Sequence, residues 1–166
     1  MRQMGGNIDL LNQHEVGGEP VADIRVRASI LHGIEIPKNQ VPLAIDEFPI
    51  LFIAASCAEG KTVLTGAEEL RVKESDRIKV MADGLQTVGI DATPTSDGMI
   101  IQGGQIQGGV INSHGDHRIA MAFTIAALSA RNQIIIEDCA NVATSFPNFV
   151  DLAQITGIDI QLVNSQ

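Results

Sequence analysis

The sequence contains no tryptophan and no tyrosine, and only five phenylalanines among its 166 residues. With so few aromatic faces, base stacking is excluded as a main mode of recognition. Cysteine is almost as scarce: Cys57 and Cys139 stand alone, too few for a disulfide framework or a cysteine-based metal site. No apolar run reaches membrane-spanning length, because residues 50–58 are closed at once by Glu59 and Lys61. The opening "MRQMGGNIDL" lacks the apolar core of a secretory signal. The expectation is a cytoplasmic protein with reduced thiols and no membrane partner. Positive charge is also in deficit, with a net charge of −9. Non-specific nucleic-acid binding needs a cationic face, so nucleic acid is not expected as a partner. Against that acidic field, a local cluster of cations carries information.

What is present is the composition of one globular domain, 45% hydrophobic and 19% charged, and an internal repeat. The segment "DEFPILFIAASCAEGKTVLTGAEEL" (46–70) matches "RIAMAFTIAALSARNQIIIEDCANV" (118–142) at a constant offset of 72. Farther on, "GLQTVGIDATPT" (84–95) answers "LAQITGIDIQLV" (152–163) at an offset of 68. Repeats of this length indicate a duplicated supersecondary unit. Each copy reads as an apolar helix (about 47–59 and 117–130), a short strand (61–65 and 133–137), a polar loop and an amphipathic helix (about 74–88 and 147–156). Strands follow at 90–93, 98–102 and 108–112, with earlier counterparts at 7–11, 22–28 and 33–36. Gly89 and Gly157 stand where a helix end favours a left-handed residue. The two apolar helices lack a polar face, which implies burial on every side. The fold class expected is α/β (α+β): repeated βαβαββ units with buried parallel helices and mixed sheets as outer walls. No linker divides the chain, so it reads as a single partial domain, with one unit over about 1–66, a second over about 67–137, and residues 138–166 closing it. Residues 1–5 read as the last turn of a helix, so the chain is expected to start within a repeat and to be a fragment. An exposed, unfinished repeat edge would favour self-association.

Two charged clusters interrupt this apolar pattern. "RVKESDRI" (71–78) packs six charged or hydroxyl-bearing residues into eight positions. Glu74, Ser75 and Asp76 suit the first turn of the following helix, with Ser75 a candidate cap. Capping does not account for Arg71, Lys73 and Arg77 around them. A glutamate held among cations is either an ion-pair partner or a tuned proton-transfer group, and spacing does not decide between them. In the second cluster, "SHGDHRIAMAF" (113–123), Arg118 occupies the position that Asp46 holds in the first copy, at the start of an apolar helix. An acid there is favoured by the helix dipole; a cation is not. Backbone N–H groups plus a guanidinium make a site for a carboxylate or phosphate, with a structural Arg118–Asp116 pair as the competing reading. His117 alone reads more naturally as a packing residue. The glycine-rich "IQGGQIQGGVI" lacks phosphate-loop spacing and reads as turns between strands, while Pro147 in "TSFPNF" is placed to open the last helix.

"LRVKESDRIKVMADGLQTVGI" and "GDHRIAMAFTIAAL", with "MGGNI", "AIDEFP" and "TSFPNF" in order around them, resemble the C-terminal part of the 5-enolpyruvylshikimate-3-phosphate synthase family. The resemblance covers nearly the whole chain, which is well under half the family's usual length. It implies two domains, each of three βαβαββ units in an inside-out α/β barrel, of which this chain would carry about two units. It further implies transfer of the enolpyruvyl group of phosphoenolpyruvate to the 5-hydroxyl of shikimate 3-phosphate, with phosphate released and no metal or organic cofactor, and with glyphosate competing with phosphoenolpyruvate. By motif, Asp46 would take the hydroxyl proton and Glu74 would protonate the methylene carbon. Lys73 would contact shikimate 3-phosphate and the reacting oxygens. Arg77 and Arg118 would clamp phosphoenolpyruvate, with Asp116 and His117 beside them. Two positions depart from the family pattern: Thr144 stands where many members carry a lysine, and Glu69 where some members have an asparagine facing shikimate 3-phosphate. The family's N-terminal lysine and arginine and its opposite domain are not in this sequence, so the chain alone is expected to be inactive and to need the rest of its parent chain as partner. The competing readings are a fragment of the related UDP-N-acetylglucosamine enolpyruvyl transferase and a non-catalytic anion-binding module.

Overall fold

In a computed structural model that describes residues 1–163, the two apolar segments related by the 72-residue offset fold as expected into helices α1 (Phe48–Ser56) and α3 (His117–Ala126). The amphipathic helix α2 (Arg77–Thr87) packs against both. Phe48, Phe52, Ile78, Met81, Leu85 and Phe123 are among the large side chains fully buried where the three helices meet. Burial is not complete on every side of the apolar helices, however. Ile50 of α1 is exposed, and Met121 and Ile125 of α3 are half-buried, because this side borders an open recess.

Strands flank this helical core. β1 (Asn7–Val16) and β2 (Glu19–Arg27) form an antiparallel hairpin, longer than the pattern indicated. β3 (Lys61–Leu64), β4 (Asp91–Pro94) and β5 (Met99–Gln102) form a sheet in the order β3-β5-β4, with β5 antiparallel to both neighbours. β3 and β4 therefore run parallel, and α2 is the crossover between them. β6 (Gly109–Asn112) and β7 (Ile134–Glu137) pair in parallel across α3. The strand expected at 33–36 appears only as isolated parallel bridges, His32 to Glu59 and Glu35 to Val63. With those bridges, α1 is also a crossover between parallel segments, so all three core helices perform the same topological task. The unit boundary expected near residue 66 falls between β3 and its hydrogen-bonded partner β5. The four-residue helix α4 (Val142–Ser145) and α5 (Phe149–Ile155) follow β7. Pro147 lies just ahead of α5 rather than in its first turn, which begins after Asn148. Residues 1–5 close a short 3-10 turn, Arg2–Met4, on Gly5 at φ 93°.

Gly89 and Gly157 both take left-handed φ values, 84° and 92°, directly after their helices, as their positions indicated. Gly84 has another task. A Cβ there would lie 2.5 Å from Cζ of Phe123, which is fully buried and has no room to retreat. The missing side chain lets α2 and α3 approach closely in their C-terminal halves. Replacing a helical glycine by alanine normally gains up to about 1 kcal/mol. Here overpacking costs about 1–3 kcal/mol and outweighs that gain. Gly84→Ala is therefore expected to lower the urea midpoint of this chain, and a higher midpoint would contradict this packing account.

Candidate active site at three helix N-termini

The N-termini of α1, α2 and α3 converge, and one side chain ties them together. Arg77, the first residue of α2, is only 1% exposed. Its Nε donates to Asp116 Oδ2 at 2.8 Å, its Nη1 to Asp46 Oδ1 at 3.1 Å and its Nη2 to Glu74 Oε2 at 2.6 Å. These carboxylates come from the start of α3, the turn before α1 and the loop before α2. Burying a guanidinium is costly unless its charge is paired and its donors are satisfied, and here three acids do both.

Asp116 is the buried anchor of the group, 0% exposed. Besides Arg77 it accepts from Ser75 Oγ at 3.1 Å and, as the cap of α3, from the Arg118 and Ile119 backbone N–H groups at 3.0 and 3.4 Å. Burial pushes its carboxyl upward, but the hydrogen bond and charge of Arg77, with Ser75 and the Arg118 N–H, outweigh that and hold it below its ordinary value. Ser75, expected to cap α2, does not: Asp76 caps it by accepting from Lys79 N at 3.0 Å. Asp46, for which a capping role was natural, makes no cap at all. Its carboxylate turns to Arg77 and to Lys73 Nζ at 3.4 Å. Partial burial raises the Asp46 carboxyl, but Lys73, Arg118 and Arg77 together keep it below the ordinary carboxylate value. Lys73 also donates to Glu69 Oε1 at 2.5 Å, and that hydrogen bond, with the charge of Asp46, raises its ammonium further.

At α3, Arg118 Nη1 donates to the Asp46 carbonyl at 3.0 Å and to Glu47 Oε1 at 2.8 Å. The pair Arg118–Asp116 therefore exists only through the Arg118 backbone, and its guanidinium is engaged elsewhere. Beside it lies a recess of about 140 Å³ lined on its polar side by Asp46, Glu47 and Arg118. Arg71 answers a question the sequence left open. It pairs with Asp76 at 2.7 Å and donates to the Thr95 and Ser96 carbonyls, fastening the charged loop to the turn between β4 and β5.

The structure thus connects Asp46, Glu69, Lys73, Glu74, Arg77, Asp116 and Arg118 in one polar network. Glu74 and Asp46 remain about half exposed, at 53% and 47%, while Arg77 and Asp116 lie beneath them. Arg77, expected to clamp phosphoenolpyruvate, directs its Nε, Nη1 and Nη2 to carboxylates. Asp116 likewise offers no exposed oxygen to a ligand. His117 is half-buried on the first turn of α3 without a side-chain hydrogen bond among the described residues. Thr144 sits exposed on α4, which packs against α3, and its side chain does not join the network. Glu47 was not singled out from the sequence. Its position, one residue after Asp46 in the copy equivalent to Arg118, was the available signal.

The model of the EPSP synthase (3-phosphoshikimate 1-carboxyvinyltransferase) family matches residues 1–152. The chain belongs to this EPSP synthase family. Relatives named 3-phosphoshikimate 1-carboxyvinyltransferase are 67% identical over 162 residues in Methylococcus capsulatus and 68% identical over 161 residues in Nitrosococcus oceani. These alignments cover 98% and 97% of this chain but 37% and 36% of the relatives. A solved EPSP synthase from Acinetobacter baumannii superposes with a TM-score of 0.95 at 56% identity, covering 98% of this chain and 39% of that one. The chain therefore spans little more than a third of the EPSP synthases it matches, and the fold class expected from the repeat is theirs.

The depressed carboxyl of Asp116 has a consequence for stability. A group whose folded value lies below its unfolded value, near 3.8, stabilises the fold at higher pH and loses that contribution as pH falls through the folded value. The chain should therefore lose stability on acidification below about pH 4, and Asp116→Asn should flatten that loss in urea titrations at several pH values. Near neutrality, Asp116→Ala, which leaves Arg77 short of a buried partner, should cost about 3–5 kcal/mol. An Asp116→Ala variant as stable as the parent would contradict the anchoring role.

Proposed function

We propose that this chain supplies the acid/base side of an active site that transfers the enolpyruvyl group of phosphoenolpyruvate to the 5-hydroxyl of shikimate 3-phosphate. The observation that carries this reading is the bridge of Arg77 between Asp46 and Glu74, which presents two exposed carboxylates side by side among Lys73 and Arg118. In the reaction the hydroxyl oxygen adds to C2 of phosphoenolpyruvate while its methylene carbon gains a proton. Loss of a proton from the resulting methyl group then expels phosphate and restores the enol ether. One group must accept a proton from oxygen and one must deliver a proton to carbon.

Asp46, kept ionised by Lys73, Arg77 and Arg118, suits the first task. Glu74, with its outer half open, is assigned the second. Lys73 and Arg118 supply positive charge for two polyanionic substrates, helped by the positive ends of three helices. His117 borders the same helix start as a substrate-side residue. Glu69, joined to Lys73, orients it toward shikimate 3-phosphate, and Thr144 on α4 is assigned to the substrate side by family resemblance alone. Arg77 and Asp116 act from below, Arg77 by setting the separation of the two acid/base carboxylates. The chain is read as part of one enolpyruvyl transferase domain that works in the cytoplasm. We infer that the rest of a longer parent provides the opposing half of the site and covers the apolar face of β1–β2, where Ile24 and Val26 are 68% and 67% exposed. No helix among the described residues is long and apolar enough to cross a membrane.

This reading is tested in a full-length chimera: the Methylococcus capsulatus relative with its matching segment exchanged for this chain. Glu74→Gln should lower kcat by about 10²–10⁴ while both substrates still bind. Unchanged turnover would instead mark the cluster as an anion-binding module. The 166-residue chain by itself should release no phosphate from the two substrates, and detectable turnover would overturn the half-site reading.

A further inference from the structure

Arg118 is held by one nitrogen only. Nη1 is engaged twice, by the Asp46 carbonyl at 3.0 Å and by Glu47 Oε1 at 2.8 Å. Among the described residues, Nε and Nη2 have no acceptor, and these two nitrogens form the edge of a guanidinium that takes an oxyanion in bidentate fashion. Glu47 pairs with no other cation among the described residues. Its carboxylate is 60% exposed, so the pair with Arg118 is a surface contact whose value lies in direction rather than in stability.

We propose that Glu47 is a positioning residue that fixes Arg118 with its Nε/Nη2 edge turned to the carboxylate or phosphate of phosphoenolpyruvate. This rests on the assignment of Arg118 as an anion ligand under the proposed function. A free arginine side chain samples many rotamers, and an anion must then order it on binding. Two acceptors on Nη1, one from the main chain ahead of α1 and one from the Glu47 side chain, settle that orientation before the ligand arrives. Glu47 also carries a negative charge, which by itself would oppose an incoming anion. The two effects have opposite signs and different chemical requirements. Orientation needs only an oxygen acceptor, whereas repulsion needs the charge. Glutamine keeps the acceptor and removes the charge; alanine removes both.

The test uses the full-length chimera and steady-state kinetics with phosphoenolpyruvate varied at saturating shikimate 3-phosphate. Glu47→Ala should raise KM for phosphoenolpyruvate about three- to fivefold with kcat changed by less than about twofold. Glu47→Gln should restore KM to the parent value or below it. Arg118→Gln should raise KM more than either. A Glu47→Ala enzyme with unchanged or lower KM would overturn the proposal in favour of charge repulsion. Equal losses in the alanine and glutamine variants would overturn it as well. If Arg118→Gln leaves KM unchanged, the assignment of Arg118 itself fails, and the proposal with it. An Arg118 effect without a Glu47 effect removes only the positioning role.

Discussion

Everything at the functional end of this chain depends on one buried cation. The Arg77 guanidinium is buried at the start of α2, and it is tolerable there because three carboxylates meet it. Asp116 occupies the Nε side and is itself fully satisfied by Ser75 and the first N–H groups of α3. Asp46 and Glu74 take the outer nitrogens and keep their remaining oxygens toward solvent. The arrangement converts the packing of three helices into a fixed relation between two acids. Farther along, the same two helices, α2 and α3, approach closely at Gly84 and Phe123.

The duplicated architecture explains why the site lies where it does. Each apolar helix is a crossover between parallel segments, so equivalent helices start at the same end of the structure. The two copies place opposite charges at the equivalent point, Asp46 before α1 and Arg118 within α3, and link them through the Asp46 carbonyl. A chain with a net charge of −9 thereby presents Lys73 and Arg118 at a place where three helix dipoles already favour anions. Membership of the EPSP synthase family gives this local arrangement its chemical context. The acid/base assignment rests on the polar network, in which one carboxylate is kept ionised and another stands open beside it.

Much of the fold was legible in the sequence because its periodic signals are strong. The 72-residue offset placed α1 and α3, the amphipathic pattern over about 74–88 placed α2, and the left-handed glycines marked helix ends. The strand at 33–36 was over-read because local β propensity does not report how many partners a segment finds. Within the site, residue type pointed to the residues of the polar network but not to every contact among them. Ser75 and Asp76 are both good caps, and only tertiary contact with Asp116 drew Ser75 away. The pairing of Arg77 with Asp46 and Asp116 and the hold of Glu47 on Arg118 depend on partners 31 to 71 residues distant. No local pattern encodes contacts of that span.

The most direct test of the account is phosphate release by the full-length chimera, measured with phosphoenolpyruvate and either shikimate 3-phosphate or UDP-N-acetylglucosamine. The account predicts turnover that depends on shikimate 3-phosphate, at a rate within about tenfold of the Methylococcus capsulatus enzyme. A folded chimera that binds both substrates of that pair and releases no phosphate, or one that turns over only with the UDP sugar, would contradict it.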